Sequence, residues 1–206
     1  MRSFIYIPLI LISLWLPGCA AITAVSVVQG TLFEAASSQF KGEEKGFANN
    51  ISTTLAAVQS SLRSMNLDVD VLEIQDDGYA IAFGNPDLEG EIKLTKATSR
   101  LTTVYVTVRK TLREESIEKA IIESVQSKLE SKSSKQRFRF AGYNNLRTKP
   151  DIKTARLGWY RHNAKLETYR NGKSEWFKLK LPSGKTAYLK GNTLKAQNSL
   201  HNGAKS

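Results

Sequence analysis

Five side chains have the chemistry and the company to do more than pack: Trp159, Tyr160, Arg161 and Lys185 in the C-terminal third, and Cys19 near the start. Aromatic faces stack on sugars or peptide planes and attract cations, while guanidinium and ammonium groups hold carboxylates or phosphates. Trp159 and Tyr160 stand between Gly158 and Arg161, which makes them the better exposed aromatic candidates. Lys185 follows the turn residues Pro182-Ser183-Gly184 and adds a second cation. Trp176 and Tyr188 carry the same chemistry, but their strand-like surroundings assign them to a core. Cys19 is the only cysteine, so no intramolecular disulfide forms and the fold rests on packing alone.

Catalytic chemistry finds little support. The two histidines, His162 and His201, are far apart, and His201 lies in a polar tail. There is no metal-ligand cluster, no Ser/His/Asp arrangement with a local signature and no glycine-rich phosphate loop. Asp76-Asp77 precedes Gly78 and reads as a turn, and Glu114-Glu115 is charge at a helix start. The expectation is a binding or tethering factor without enzyme activity, metal or cofactor.

The start of the chain explains what Cys19 is for. Arg2 supplies a positive charge, Phe4 to Leu16 is almost wholly apolar, and Leu16-Pro17-Gly18-Cys19 closes the run. That order is read by export machinery, and the run is shorter than the about 20 residues of a spanning helix. The segment resembles a bacterial lipoprotein signal: Leu16 three before the cysteine, Gly18 just before it, and Cys19 as the lipidated residue, with Pro17 departing from the usual pattern. The resemblance implies removal of residues 1–18 and a membrane anchor through the lipid on Cys19. Ala20, not Asp, follows the cysteine, which implies the outer membrane facing the periplasm if the source has two membranes.

Charge divides the rest. The whole chain of 206 residues carries +11, but Ala20–Ser134 holds 12 Lys and Arg against 16 Asp and Glu, whereas Lys135–Ser206 holds 17 against 3. A break of that size predicts two parts with different partners, the electrostatic footprint lying on the second.

Elements that could position these groups follow from periodicity. Residues 19–40 read as a tether with a possible first strand at Gly30–Glu34. Phe47, Ile51, Leu55, Val58, Leu62 and Met65 recur at helical spacing and predict a helix over Glu44–Asn66. Alternation around Val69, Val71, Tyr79, Ile81, Phe83, Ile92, Leu94, Val104, Val106 and Val108, with turns at Asp76-Asp77-Gly78 and Asn85-Pro86-Asp87, predicts a four-stranded meander. Ile117, Ala120, Ile121, Val125 and Leu129 predict a second helix over Leu112–Glu130. The expected fold of residues 41–131 is α+β, a two-layer helix-on-antiparallel-sheet domain. The order over residues 19–130, a lipobox cysteine, a small apolar stretch, a helix, a meander and a closing helix, resembles a family of small bacterial lipoproteins of unknown function. Residues 132–139 read as a solvated linker and 197–206 as a disordered tail.

Residues 140–196 turn aromatic, basic and strand-like, with tight turns at Asn171-Gly172-Lys173 and Pro182-Ser183-Gly184-Lys185. Short strands with such turns predict a small closed all-β barrel. Asn145-Leu146-Arg147-Thr148-Lys149-Pro150, Trp176-Phe177-Lys178-Leu179 and Leu181 to Leu189 resemble the opening, the Trp-aromatic strand and the glycine-centred hairpin of a bacterial SH3-like domain. That resemblance implies peptidoglycan or its stem peptides as ligand, and the positive charge suits an anionic one. An acidic envelope protein is the competing partner. Surface nucleic acid is a third, disfavoured by export and by the absence of recognised motifs.

Overall fold

The structure, a computed structural model, describes residues 42–131, 137–171 and 175–191. The expected leader, Cys19, the strand at 30–34, residues 132–136 of the linker and the 197–206 tail lie outside them.

The chain runs through β1 (Glu43–Phe47), α1 (Ile51–Ser64), β2 (Asp68–Gln75), β3 (Gly78–Gly84), β4 (Glu89–Thr98), β5 (Leu101–Arg109), α2 (Glu115–Glu130), β6 (Tyr143–Arg147), β7 (Arg156–Arg161), β8 (Thr168–Arg170), β9 (Trp176–Lys180) and β10 (Thr186–Lys190). All ten strands belong to one antiparallel sheet in the order β1-β5-β4-β3-β2-β7-β6-β10-β9-β8.

Local chemistry sets the helix limits. Asn50 caps α1, its Oδ1 accepting the Thr53 N–H at 2.9 Å. Asn66, with φ of 56°, turns the chain out in the left-handed region that Asn tolerates. The helix expected to begin at Glu44 therefore starts at Ile51, and Glu43–Phe47 pairs with β5 as a strand. Leu112 stands 77% exposed ahead of α2, which starts at Glu115. The β2–β5 meander forms as its alternation predicts. Val58, Leu62, Ile121 and Val125 of the helices close a core with Leu72, Ile81, Ile92, Leu94, Val104, Val106 and Val108 of the sheet.

The expected architecture of a helix-on-sheet domain followed by a closed SH3-like barrel is corrected. Among the described residues the fold is mainly β, a single ten-stranded antiparallel sheet with two short helices, and the C-terminal strands do not close into a barrel. A barrel needs its last strand to return to its first. Among the described residues β8 pairs only with β9, and the other side of β7 is taken by β2 through Val71↔Tyr160, Leu72↔Trp159 and Glu73↔Gly158. Gly158 permits that approach, because a Cβ there would sit 2.1 Å from the Leu72 carbonyl oxygen.

Side chains reinforce the continuity. Phe138 enters the first core. Gln59 makes paired hydrogen bonds with the Arg139 main chain at 2.8 and 3.1 Å. The Tyr143 hydroxyl donates to the Val69 carbonyl at 3.0 Å. A second core of Val71, Leu146, Tyr160, Leu179, Leu181, Ala187 and Leu189 draws on both sides of the β2–β7 seam.

Candidate ligand-binding face

The four residues singled out by sequence do not share one surface. Trp159 and Tyr160 are neighbours on β7 and so point to opposite faces. Tyr160 is 1% exposed within the second core and offers no face for stacking. Trp159 is half-buried against the first core, with the Phe140 ring 4.6 Å away and the Arg156 guanidinium 4.9 Å from its ring centre. Arg161 shares the Trp159 side, but its charge is engaged. Its NH2 group donates to Asp70 Oδ1 at 2.7 Å, and its NH1 lies 3.5 Å from Asp68. Burial raises the Asp70 pKa above the ordinary carboxylate value, and Arg161 offsets part of that rise. Lys185 is exposed in the β9–β10 turn. Its main chain accepts from the Leu181 N–H at 2.9 Å and donates to the Ser183 hydroxyl at 3.3 Å.

A different set is brought together. Antiparallel registers place Arg147 of β6 opposite Tyr188 of β10, Tyr188 opposite Lys178 of β9, and Lys178 opposite Tyr169 of β8. Directly opposed residues lie on the same side of a sheet. Arg147, Tyr188, Lys178 and Tyr169 thus form one row across four adjacent strands. The next row pairs Trp176 with Lys190, whose ammonium lies 3.2 Å from Glu175. The reverse side carries Leu146, Leu179, Ala187 and Leu189, all in the second core. Tyr169 is 64% exposed, and Arg147, Lys178, Tyr188 and Trp176 are half-buried. Arg147 is held by donation to the Thr154 carbonyl at 2.8 Å.

Trp176 and Tyr188 were expected in a core and instead lie on the side opposite it. The signal was present in the sequence. In Trp176-Phe177-Lys178-Leu179-Lys180 and Thr186-Ala187-Tyr188-Leu189-Lys190, inward Leu179, Ala187 and Leu189 turn Trp176, Lys178 and Tyr188 outward by period two. The sequence does not supply the pairing that aligns them with Arg147 and Tyr169.

The row alternates cation and aromatic, with strands about 4.8 Å apart, so it spans about 14 Å. Such a surface can stack flat rings and neutralise anions along an extended ligand. Among the described residues, no group of three or more His, Cys, Asp or Glu could hold a metal ion. No helix among them is long and apolar enough to cross a membrane. Compared with known proteins, the chain matches no family model and no curated sequence.

Proposed function

We propose that this chain is a lipid-anchored envelope protein that binds an anionic cell-wall component, peptidoglycan, through the outward face of β6, β10, β9 and β8. The observation that carries the reading is the Arg147–Tyr188–Lys178–Tyr169 row. It sits in the C-terminal third of the chain, Lys135–Ser206, which holds 17 basic and 3 acidic residues, so an acidic ligand is favoured over a neutral one. The leader ending at Cys19 supplies the address: a lipid at Cys19 would hold the protein at a membrane surface, the outer one facing the periplasm where two exist. Ring stacking combined with charge contacts supports a binding role for this face.

The test is co-sedimentation of the full-length protein with insoluble peptidoglycan over a salt series. Retention that weakens with salt yet leaves a salt-resistant remainder supports the reading, because exposed charges are screened within about 8 Å at physiological ionic strength while stacking is not. No retention at any salt concentration rejects it. An acidic protein that co-purifies after muramidase digestion would point to an assembly role, and preferential retention on single-stranded nucleic acid to the third class. Cys19→Ser should leave the precursor uncleaved or release the protein from membranes. Unchanged mass and fractionation would remove the anchor from the proposal.

A further inference from the structure

We infer that the ligand of this face is the glycan strand itself, running across the β-strands, and not the stem peptides; the inference rests on the wall-binding reading above. Tyr169 and Tyr188 stand on β8 and β10, two strands apart on one side of the sheet. Two inter-strand steps put them about 10 Å apart, close to the length of one disaccharide in a β-linked glycan. Sugar rings of successive disaccharides can therefore cover the two phenols in turn. Lys178 lies between them in the same row, and Arg147 lies beyond Tyr188. An alternating amino-sugar strand carries one lactyl carboxyl per disaccharide, as a free carboxylate or as the root of an acidic peptide. One cation per disaccharide step matches one carboxyl per disaccharide. A peptide would be matched less well: the row lies across the strands at separations of about 4.8 Å, and its members are two cations and two phenols, none of which selects an alanyl methyl group.

The geometry makes length the diagnostic variable. A single disaccharide covers one tyrosine, whereas two joined disaccharides cover both and span Lys178. The second unit should tighten binding about tenfold, the value of one stacking contact. The experiment measures binding of the full chain to amidase-treated glycan strands of one, two and three disaccharides, with intact sacculi and uncharged chitin oligomers in parallel. The expected result is that peptide-free strands compete with sacculi and that affinity steps up at two disaccharides. The chitin oligomers should bind more weakly and without salt dependence. Tyr169→Ala, at a 64% exposed position that leaves the core intact, should abolish the step while sparing binding of the single disaccharide. Sacculi that bind while peptide-free strands do not compete would overturn the inference and leave the wall-binding reading standing. A step that survives in Tyr169→Ala would also overturn it. Failure of sacculi to bind at all would overturn both.

Discussion

The buried Glu73 carboxylate of β2 accepts the Ser183 main-chain N–H at 3.0 Å and the Ser183 hydroxyl at 2.5 Å. Glu73 is wholly inaccessible, while Ser183 sits in the exposed β9–β10 turn. The contact fastens the hairpin that presents Lys178 and Tyr188 to the meander strand that anchors the seam. It also supplies two donors to a carboxylate that burial would otherwise leave unsatisfied. Ser183→Ala removes one donor and should cost about 1–3 kcal/mol. Urea denaturation should show a lowered midpoint with an unchanged slope, since the folded surface is the same.

Tyr160 and Tyr169 should separate stability from binding. Tyr160→Ala empties a volume in the second core and should cost about 3–5 kcal/mol. Tyr169→Ala should leave thermal stability within about 0.5 kcal/mol of the parent and weaken retention on peptidoglycan several-fold. Equal wall retention by Tyr169→Ala and parent at every salt concentration would count against the proposed face.

The β2–β7 seam should make the described fold cooperative. Gly158→Ala drives a Cβ into the Leu72 carbonyl and should destabilise the whole sheet. Protease cleavage within 132–136 should leave two pieces that co-elute on gel filtration, because Phe138, Gln59–Arg139 and the strand pairing remain. Fragments that part and stay folded would show that the seam is dispensable.

Acid sensitivity should come partly from Glu118. Burial acts to raise its pKa, but the Arg113 guanidinium at 2.6 Å and the Val108 N–H at 3.0 Å outweigh it and hold the carboxyl below its ordinary 4.5. A carboxyl with a lowered folded pKa contributes its full stability above the unfolded value and loses it as the pH falls through the folded one. Glu118→Gln should therefore be less stable at neutral pH and show a flatter decline below about pH 4.5 in acid titration of the folded fraction.

Arg161 should act with the opposite sign through Asp70. The Asp70 pKa is already raised by burial, and removing the guanidinium raises it further. Arg161→Ala should lose about 1 kcal/mol at neutral pH and regain part of it as the pH falls and Asp70 takes up its proton. A loss that does not change with pH would assign Arg161 a packing role alone.

The sequence by itself determined the elements that depend on near neighbours. The stripe from Ile51 to Leu62 places α1, and strict alternation places the meander and the two faces of β9 and β10. The charge break after residue 134 is a property of composition and needs no fold. Tertiary structure alone decided which edges meet. Charge and turn chemistry marked 132–139 as a boundary, yet main-chain hydrogen bonds between β2 and β7 carry the sheet across it, and such bonds leave little trace in side-chain pattern. The same pairing settled the candidate site. It turned Tyr160 into the second core, committed Arg161 to Asp70, and lined up Arg147, Tyr188, Lys178 and Tyr169 from four strands. Register between distant strands is set by which buried faces must coincide, so the row exists only once the sheet is assembled.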